Sequence, residues 1–212
     1  KTTAMEEKKL TEKESLELIA EMIRNTKSKL ELGDGNILLL WGYLSVGVAA
    51  MVYFAGMLTH SVYTNWIWLL IPLIGFPAMK YLDRKKTSEY SASTYVDKIS
   101  AGIWKMVGGL AFAGMALCVG FMLFGYNVWI LMFMYAFVIV GFGAAVQGVV
   151  IREGSLIFGG IFGILAGGFV VCCVMSGIPL RHVWVIPLYM FCFLLMTVIP
   201  GHIINRKAKR LC

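Results

Sequence analysis

Long apolar runs with few charged residues, separated by short polar segments, dominate the pattern of this chain. Six such runs follow a polar first segment, at residues 37–58, 66–82, 99–124, 128–151, 156–178 and 183–204. Each is close to the ~20 apolar residues that a helix needs to cross a bilayer. The pattern therefore predicts an all-α, polytopic membrane protein with six transmembrane helices.

The lengths of the links predict how these helices pair. Residues 60–64, 125–127 and 177–182 form short links after the first, third and fifth helices, whereas residues 83–98 form a longer one. Short links join antiparallel neighbours in helical bundles. We therefore expect three helical hairpins in a membrane domain of residues 36–205, followed by a basic cytoplasmic tail at residues 206–212.

The basic residues predict the orientation. Of the 19 lysines and arginines, only Arg181 lies on the side of the short links. Because positive charge is retained on the cytoplasmic side, both termini are predicted to be cytoplasmic. Four tryptophans after the short links are expected to form an aromatic belt at the outer interface: Trp66, Trp68, Trp129 and Trp184.

The polar first segment predicts a helix of its own. Residues 1–10 are interpreted as a tag remnant and a disordered start, and residues 33–35 as a linker. Thr11 and Glu14 form a capping box at the start of residues 11–32, an amphipathic stretch with its apolar positions on one stripe. Three placements stay open for this cytoplasmic helix: against the bundle, on the lipid surface, or paired with a second copy or a protein partner.

The fifth apolar run carries a ladder of glycines. Gly159, Gly163 and Gly167 recur every four residues. Glycine is unfavourable inside an ordinary helix, but in a membrane a face without side chains lets a neighbouring helix approach closely. We therefore predict a GxxxG packing face on a central helix.

Few polar residues interrupt the apolar runs. No Asp or Glu lies at mid-membrane depth, which disfavours proton- or cation-coupled carriers. Lys105, Gln147 and His202 lie at a similar depth on the third, fourth and sixth helices, so they are predicted to line a ligand pocket open to the cytoplasm, with Lys105 pointing into the bundle. The alternative is a snorkelling Lys105, with Gln147 and His202 bonded to backbone.

Composition and motifs exclude several classes of protein. Fifty-nine percent of the residues are hydrophobic, 15% are charged, and the mean hydropathy is +0.77. The net charge of +7 is explained by basic residues at the ends of apolar runs, so no nucleic-acid partner is expected. The five cysteines lack metal or redox spacing, and no hydrolase, metalloprotease or P-loop motif occurs. We expect no catalytic residue, no cofactor and no metal.

The order of features resembles a family of uncharacterised six-span membrane proteins of Bacteroidota. The stretches that carry the resemblance are TEKESLELI (11–19), LLWGY (39–43), IPLIGFP (71–77), TYVDK (94–98) and IPGHIIN (199–205). The resemblance implies a bacterial inner-membrane location. It implies no activity, substrate or catalytic residue.

Two functions remain from the sequence. The first is a non-enzymatic membrane protein that acts through partners, in regulation or envelope maintenance, as the amphipathic helix and the nearly apolar membrane segments indicate. The alternative is a channel or carrier for a small or apolar solute. Helix-breaking prolines in the second and sixth helices favour the alternative: Pro72, Pro77, Pro187 and Pro200.

Overall fold

The structure is a computed structural model that describes residues 35–59, 61–89, 95–126 and 128–210, together with residues 16, 17 and 20. Residues 1–10 and most of the amphipathic helix predicted at 11–32 lie outside the described residues. Within that helix, Leu16 is helical and its side chain is 67% exposed.

All regular structure in the described part of the chain is helical. The elements are α1 Gly35–Thr59, a 3₁₀ helix Val62–Leu69, α2 Leu70–Glu89, α3 Tyr95–Leu123, α4 Ile130–Val150, α5 Gly154–Met175 and α6 His182–Arg210. Among the described residues, five helices are long and apolar enough to cross a membrane: α1, α3, α4, α5 and α6. An all-helical membrane protein accounts for these features.

The region predicted as the second span is helical but does not form one long apolar helix. Its apolar residues are divided between the 3₁₀ helix Val62–Leu69 and the first half of α2. The second half of α2 is polar from Lys80 onward. This division accounts for the difference between the six spans predicted from the sequence and the five long apolar helices in the structure.

Helix α6 lies between α1 and α5. Helix α4 packs along α5, and this is the most extensive seam between described elements. The remaining two helices are peripheral, because α2 contacts α1 and the 3₁₀ helix whereas α3 contacts only α4 among the described elements. The helices are thus arranged in the order α2, α1, α6, α5, α4, α3.

The middle of α6 contains a widened turn. Residues Leu194–Val198 are π-helical, and the N–H of Ile199 donates to the carbonyl of Leu194, five residues earlier. Pro200 has no N–H, and its ring would clash with the carbonyl four residues before it in a regular helix. A wider turn directly before Pro200 relieves this clash. The hydroxyl of Thr197 donates to the carbonyl of Phe193 at 2.7 Å within the same turn.

Two glycines of the ladder lie against α6. A Cβ atom on Gly159 would collide with the backbone carbonyl of Leu195, and one on Gly163 would collide with the Met196 sulfur. The α6 atoms at this seam include main-chain atoms. Helices α5 and α6 therefore approach each other closely where α5 has glycine in place of a larger residue.

Other glycines of α5 lie against α4. A Cβ atom on Gly160 would meet the carbonyl of Gly141, and one on Gly167 would lie 2.8 Å from Val138 Cγ2. A Cβ atom on Gly168 would meet nothing within 4 Å. The glycines of α5 therefore face both neighbouring helices, with Gly168 turned away from them.

Aromatic side chains fill the half of the bundle that lies near the short links. Tyr189 of α6 stacks on Phe193 with ring centroids 4.3 Å apart, and it makes edge contacts with Trp68 and Phe133. Trp68 is 9% exposed and Trp129 is 5% exposed. These two tryptophans are therefore packed against other helices, whereas the aromatic belt at the outer interface stays a prediction. The 3₁₀ helix turns Trp68 inward onto Phe133.

Candidate functional site

Polar side chains that join different helices gather at one end of the bundle. This polar end contains the start of α1, the turn between α4 and α5, and the last turns of α6. Four hydrogen-bonded pairs lie there: Trp104–Gln147, Tyr43–His202, Asn36–Asn205 and Glu153–Lys207. The polar end therefore contains side-chain hydrogen bonds between helices that are distant in the chain.

Gln147 is buried on the last turn of α4. Its side-chain oxygen accepts a hydrogen bond from the Trp104 indole N–H of α3 at 2.5 Å. A buried amide without a partner costs about 1–3 kcal/mol, so this bond favours one rotational setting of α3 on α4. Because α3 packs on no other described helix, that setting depends on the seam containing this pair.

His202 lies on the exposed surface of α6 beside α1. Its Nε2 atom is 2.7 Å from the Tyr43 hydroxyl, and the two rings meet edge to face with centroids 6.0 Å apart. One turn nearer the end of α6, the Asn205 amide donates to the Asn36 side-chain oxygen at 2.8 Å. The two pairs tie the start of α1 to the last turns of α6.

Glu153 is the buried charged residue of the polar end. Its side chain is 6% exposed, and it accepts hydrogen bonds from the Lys207 ammonium at 2.7 Å and from the Ser155 hydroxyl at 3.0 Å. Burial of the carboxyl acts to raise the pKa of Glu153, but these two hydrogen bonds and the Lys207 charge outweigh it. The pKa of Glu153 is therefore below its ordinary value.

The structure does not bring the three predicted ligand residues together. Gln147 is bonded to Trp104 and His202 to Tyr43, on different seams. Lys105 was expected to point into the bundle, but its side chain is exposed. Val107 of the same helix packs against Gly143 of α4, and two residues correspond to a rotation of about 200° around a helix, which turns Lys105 away from that seam. A ligand at these three residues stays a prediction.

Several residues of the polar end were not singled out from the sequence. Tyr43 and Trp104 read as apolar positions in apolar runs, and nothing in the pattern indicates their hydrogen bonds. Glu153 carries a usable signal, because it is an acid in a three-residue turn between two apolar helices and requires a compensating base. The sequence does not indicate that this base is Lys207.

The polar end supports a limited chemistry. Its described residues form neutral hydrogen bonds and one ion pair, and the described part of the chain contains no group of three His, Cys, Asp or Glu side chains placed to hold a metal ion. Hydrogen-bonded pairs of this kind join neighbouring helices near their ends.

Comparisons with known proteins add no relative. No protein-family model matches this chain, and searches of curated proteins and of solved structures find no match either. The resemblance to a Bacteroidota family therefore stays a prediction.

Proposed function

We propose that this chain is an integral membrane protein that acts through protein partners and catalyses no reaction. The observation that carries the proposal is the packing of the interior. Apolar and aromatic side chains fill it, and every buried polar side-chain atom of the described residues has a hydrogen-bond partner. The buried charged residue, Glu153, lies at the polar end and is paired. An interior of this kind supports a packing and docking role better than a transport or catalytic one.

We place the partner contact at the amphipathic segment 11–32. This segment joins the polar end of the bundle through the short linker before α1, and Leu16 on its apolar stripe is 67% exposed. An exposed leucine on such a stripe favours contact with a second apolar helix, from another copy or from a different protein. The segment, rather than the membrane helices, is thus the proposed partner-binding element.

The finer membrane arrangement belongs to the same proposal. We propose six spans, with residues 62–89 as the second, both termini in the cytoplasm, and residence in a bacterial inner membrane. The packing of α2 along α1 supports a further crossing, since Trp41 of α1 fills the space beside Gly75 of α2. The one-sided distribution of lysine and arginine supports the orientation.

The mass of the protein extracted with its native lipids tests this function. Polymer nanodiscs, formed without detergent, preserve the contacts of a membrane protein. We expect wild-type chain to be extracted with a partner or a second copy, and Leu16→Glu to yield single chains because the charge interrupts the apolar stripe. Glu17→Gln, next to it on the polar side, is the matched control. Single chains from wild type would contradict the proposal.

A channel or carrier for a small or apolar solute is the second candidate, and the widened turn Leu194–Val198 favours it. Such turns are rare and frequently lie at functional sites, and broken helices near mid-membrane form the binding sites of many transporters. Swelling of liposomes in glycerol or urea, followed by light scattering, tests this candidate. Faster swelling with wild-type protein than in empty liposomes would support transport.

A further inference from the structure

A small cavity lies at the end of the bundle opposite Glu153 and Lys207. Its volume is about 180 Å³, and its wall is formed by the 3₁₀ helix, the start of α4 and the start of α6. An apolar cavity of about 150 Å³ is large enough to bind a benzene molecule. The cavity therefore fits one six-membered ring with a small substituent.

The lining of the cavity is divided between an apolar interior and polar groups. Phe133 and Ile186 line it, and Phe133 belongs to the aromatic cluster with Trp68 and Tyr189. Asn65 and the exposed His182 also line it. Aromatic walls favour a ring in offset or edge contact, and the polar groups favour a ligand with one hydrogen-bonding substituent.

The charges around the cavity determine the sign of that substituent. None of the residues that line the cavity is acidic, and no acid lies among the described residues 61–69, 124–126, 128–131 and 176–190 at this end of the bundle. Arg181, between the lining residues Leu180 and His182, is the lysine or arginine that the structure describes at this end. The local field therefore favours an anion over a cation.

Two helix starts add to this field. Trp129 and Arg181 are the N-caps of α4 and α6, neither provides a side-chain cap, and neither helix has an acid in its first turn. The first N–H groups of a helix carry roughly half a positive charge in total. Both helix starts contribute lining residues, Ile130 from α4 and His182 from α6, so both dipoles act on the same space.

We propose that this cavity binds a small molecule with one apolar ring and one carboxylate, with the ring against Phe133 and the carboxylate toward His182 and Arg181. The site is separate from the proposed partner-binding element, which precedes α1 in the chain, and α1 begins at the opposite end of the bundle. Failure of either proposal therefore leaves the other unaffected.

Benzoate and benzylammonium test the proposal, because they share a ring and carry opposite charges. Binding to the full chain in neutral-lipid nanodiscs is measured by calorimetry, with empty nanodiscs as the reference for partition into lipid. We expect benzoate to bind and benzylammonium to bind at least roughly tenfold more weakly. Equal binding of the two, or benzoate uptake no greater than that of empty nanodiscs, would overturn the proposal.

Two variants locate the site. Leu180→Trp places an indole in the cavity and is expected to weaken benzoate binding roughly tenfold or more, whereas Ile178→Trp, in the same loop but outside the lining, is the control. Arg181→Gln is expected to weaken benzoate binding about two- to fivefold, the size of an exposed charge contribution, with Arg206→Gln at the other end as the control.

A second variant that fills the cavity keeps the test informative if Leu180→Trp fails to fold. Asn65→Phe fills the cavity from the 3₁₀ helix, a different part of the wall, and its melting temperature reports its fold. Unchanged benzoate binding in a folded filling variant would overturn the assignment to this cavity. Loss of binding in the filling variants, with binding retained in both controls, supports it.

Discussion

The carbonyl oxygen of Gly141 in α4 occupies the place where a side chain on Gly160 of α5 would begin. The Ala145 amide nitrogen lies 2.5 Å from the same point. Both neighbours are main-chain atoms of a helix, so they cannot rotate away as a side chain can. The seam between α4 and α5 thus requires glycine at position 160.

Gly160→Ala should therefore destabilise the bundle. Forcing the two helices apart by a methyl group costs roughly 1–3 kcal/mol, as in other overpacked interiors. The matched control is Gly168→Ala on the same helix, where a Cβ atom meets nothing within 4 Å. There alanine should raise the melting temperature through its better helix propensity. Equal melting temperatures in detergent for the two variants would show that the seam between α4 and α5 tolerates a methyl group at position 160.

Lys207→Met should destabilise the polar end by about 1–2 kcal/mol, because it leaves the buried Glu153 carboxylate without its cation. The value lies below that for a fully buried pair because Lys207 is 52% exposed, so water replaces part of the interaction. Glu153→Gln should cost less, because an amide leaves no buried charge. Chemical unfolding in detergent measures both, and a larger loss for Glu153→Gln would contradict this account.

The pH dependence of these variants follows from the lowered pKa of Glu153. A carboxyl with a lowered folded-state pKa adds stability above its unfolded-state pKa, and this contribution is lost as the pH falls through the folded-state value. Lys207→Met removes the cation that lowers the pKa of Glu153, so burial raises this pKa above its wild-type value. The stability deficit of Lys207→Met against wild type should therefore narrow on acidification. If the stability deficit of Lys207→Met does not change with pH, the deficit arises from lost packing of the lysine stem and not from the charge.

Arg152 adopts a left-handed conformation, with φ of 55°, in the turn that closes α4. The N–H of Glu153 donates to the carbonyl of Gly148 at 2.8 Å around this turn, and glycine is the usual residue at such a position. Arg152→Gly should raise the free energy of unfolding by roughly 1 kcal/mol, since the left-handed region costs other residues about that amount. Arg152→Val should lower it, because a branched Cβ increases the clash. A higher free energy of unfolding for Arg152→Val than for wild type would contradict the inference that the backbone is strained at position 152.

Labelling of single cysteines tests the proposed orientation in a variant without native cysteines. Tyr126 is 64% exposed in the turn between α3 and α4, and Lys209 is exposed near the end of α6. In intact cells a membrane-impermeant maleimide should modify Tyr126→Cys and spare Lys209→Cys. Permeabilised cells should give labelling at both. The reverse pattern in intact cells would invert the topology.

The membrane class of this protein could be predicted from the sequence, because length and apolarity act locally. A run of about twenty apolar residues is helical in lipid whatever surrounds it, since its backbone groups must pair within the segment. Five of the predicted spans are long apolar helices in the structure. The second is divided between a 3₁₀ helix and α2, a distinction that hydropathy does not record.

The candidate site was harder to predict from the sequence, because it depends on which face each helix turns to its neighbour. Lys105 and Trp104 are adjacent in the chain, yet Trp104 is bonded to Gln147 and Lys105 is exposed. Adjacent residues point about 100° apart on a helix, so a shared depth did not imply a shared pocket. The partner of Glu153 was equally hard to predict, since Lys207 lies 54 positions away in the chain.

The sequence by itself determined the helical content and most of the apolar helices, because these follow from local composition. Only the tertiary structure decided the order of the helices, the pairing of Tyr43 with His202 and the inward position of Trp68. Lipid tails are as apolar as the side chains, so hydrophobicity does not choose between neighbours in a membrane. Close packing and interhelical hydrogen bonds make that choice, and both depend on residues far apart in the chain.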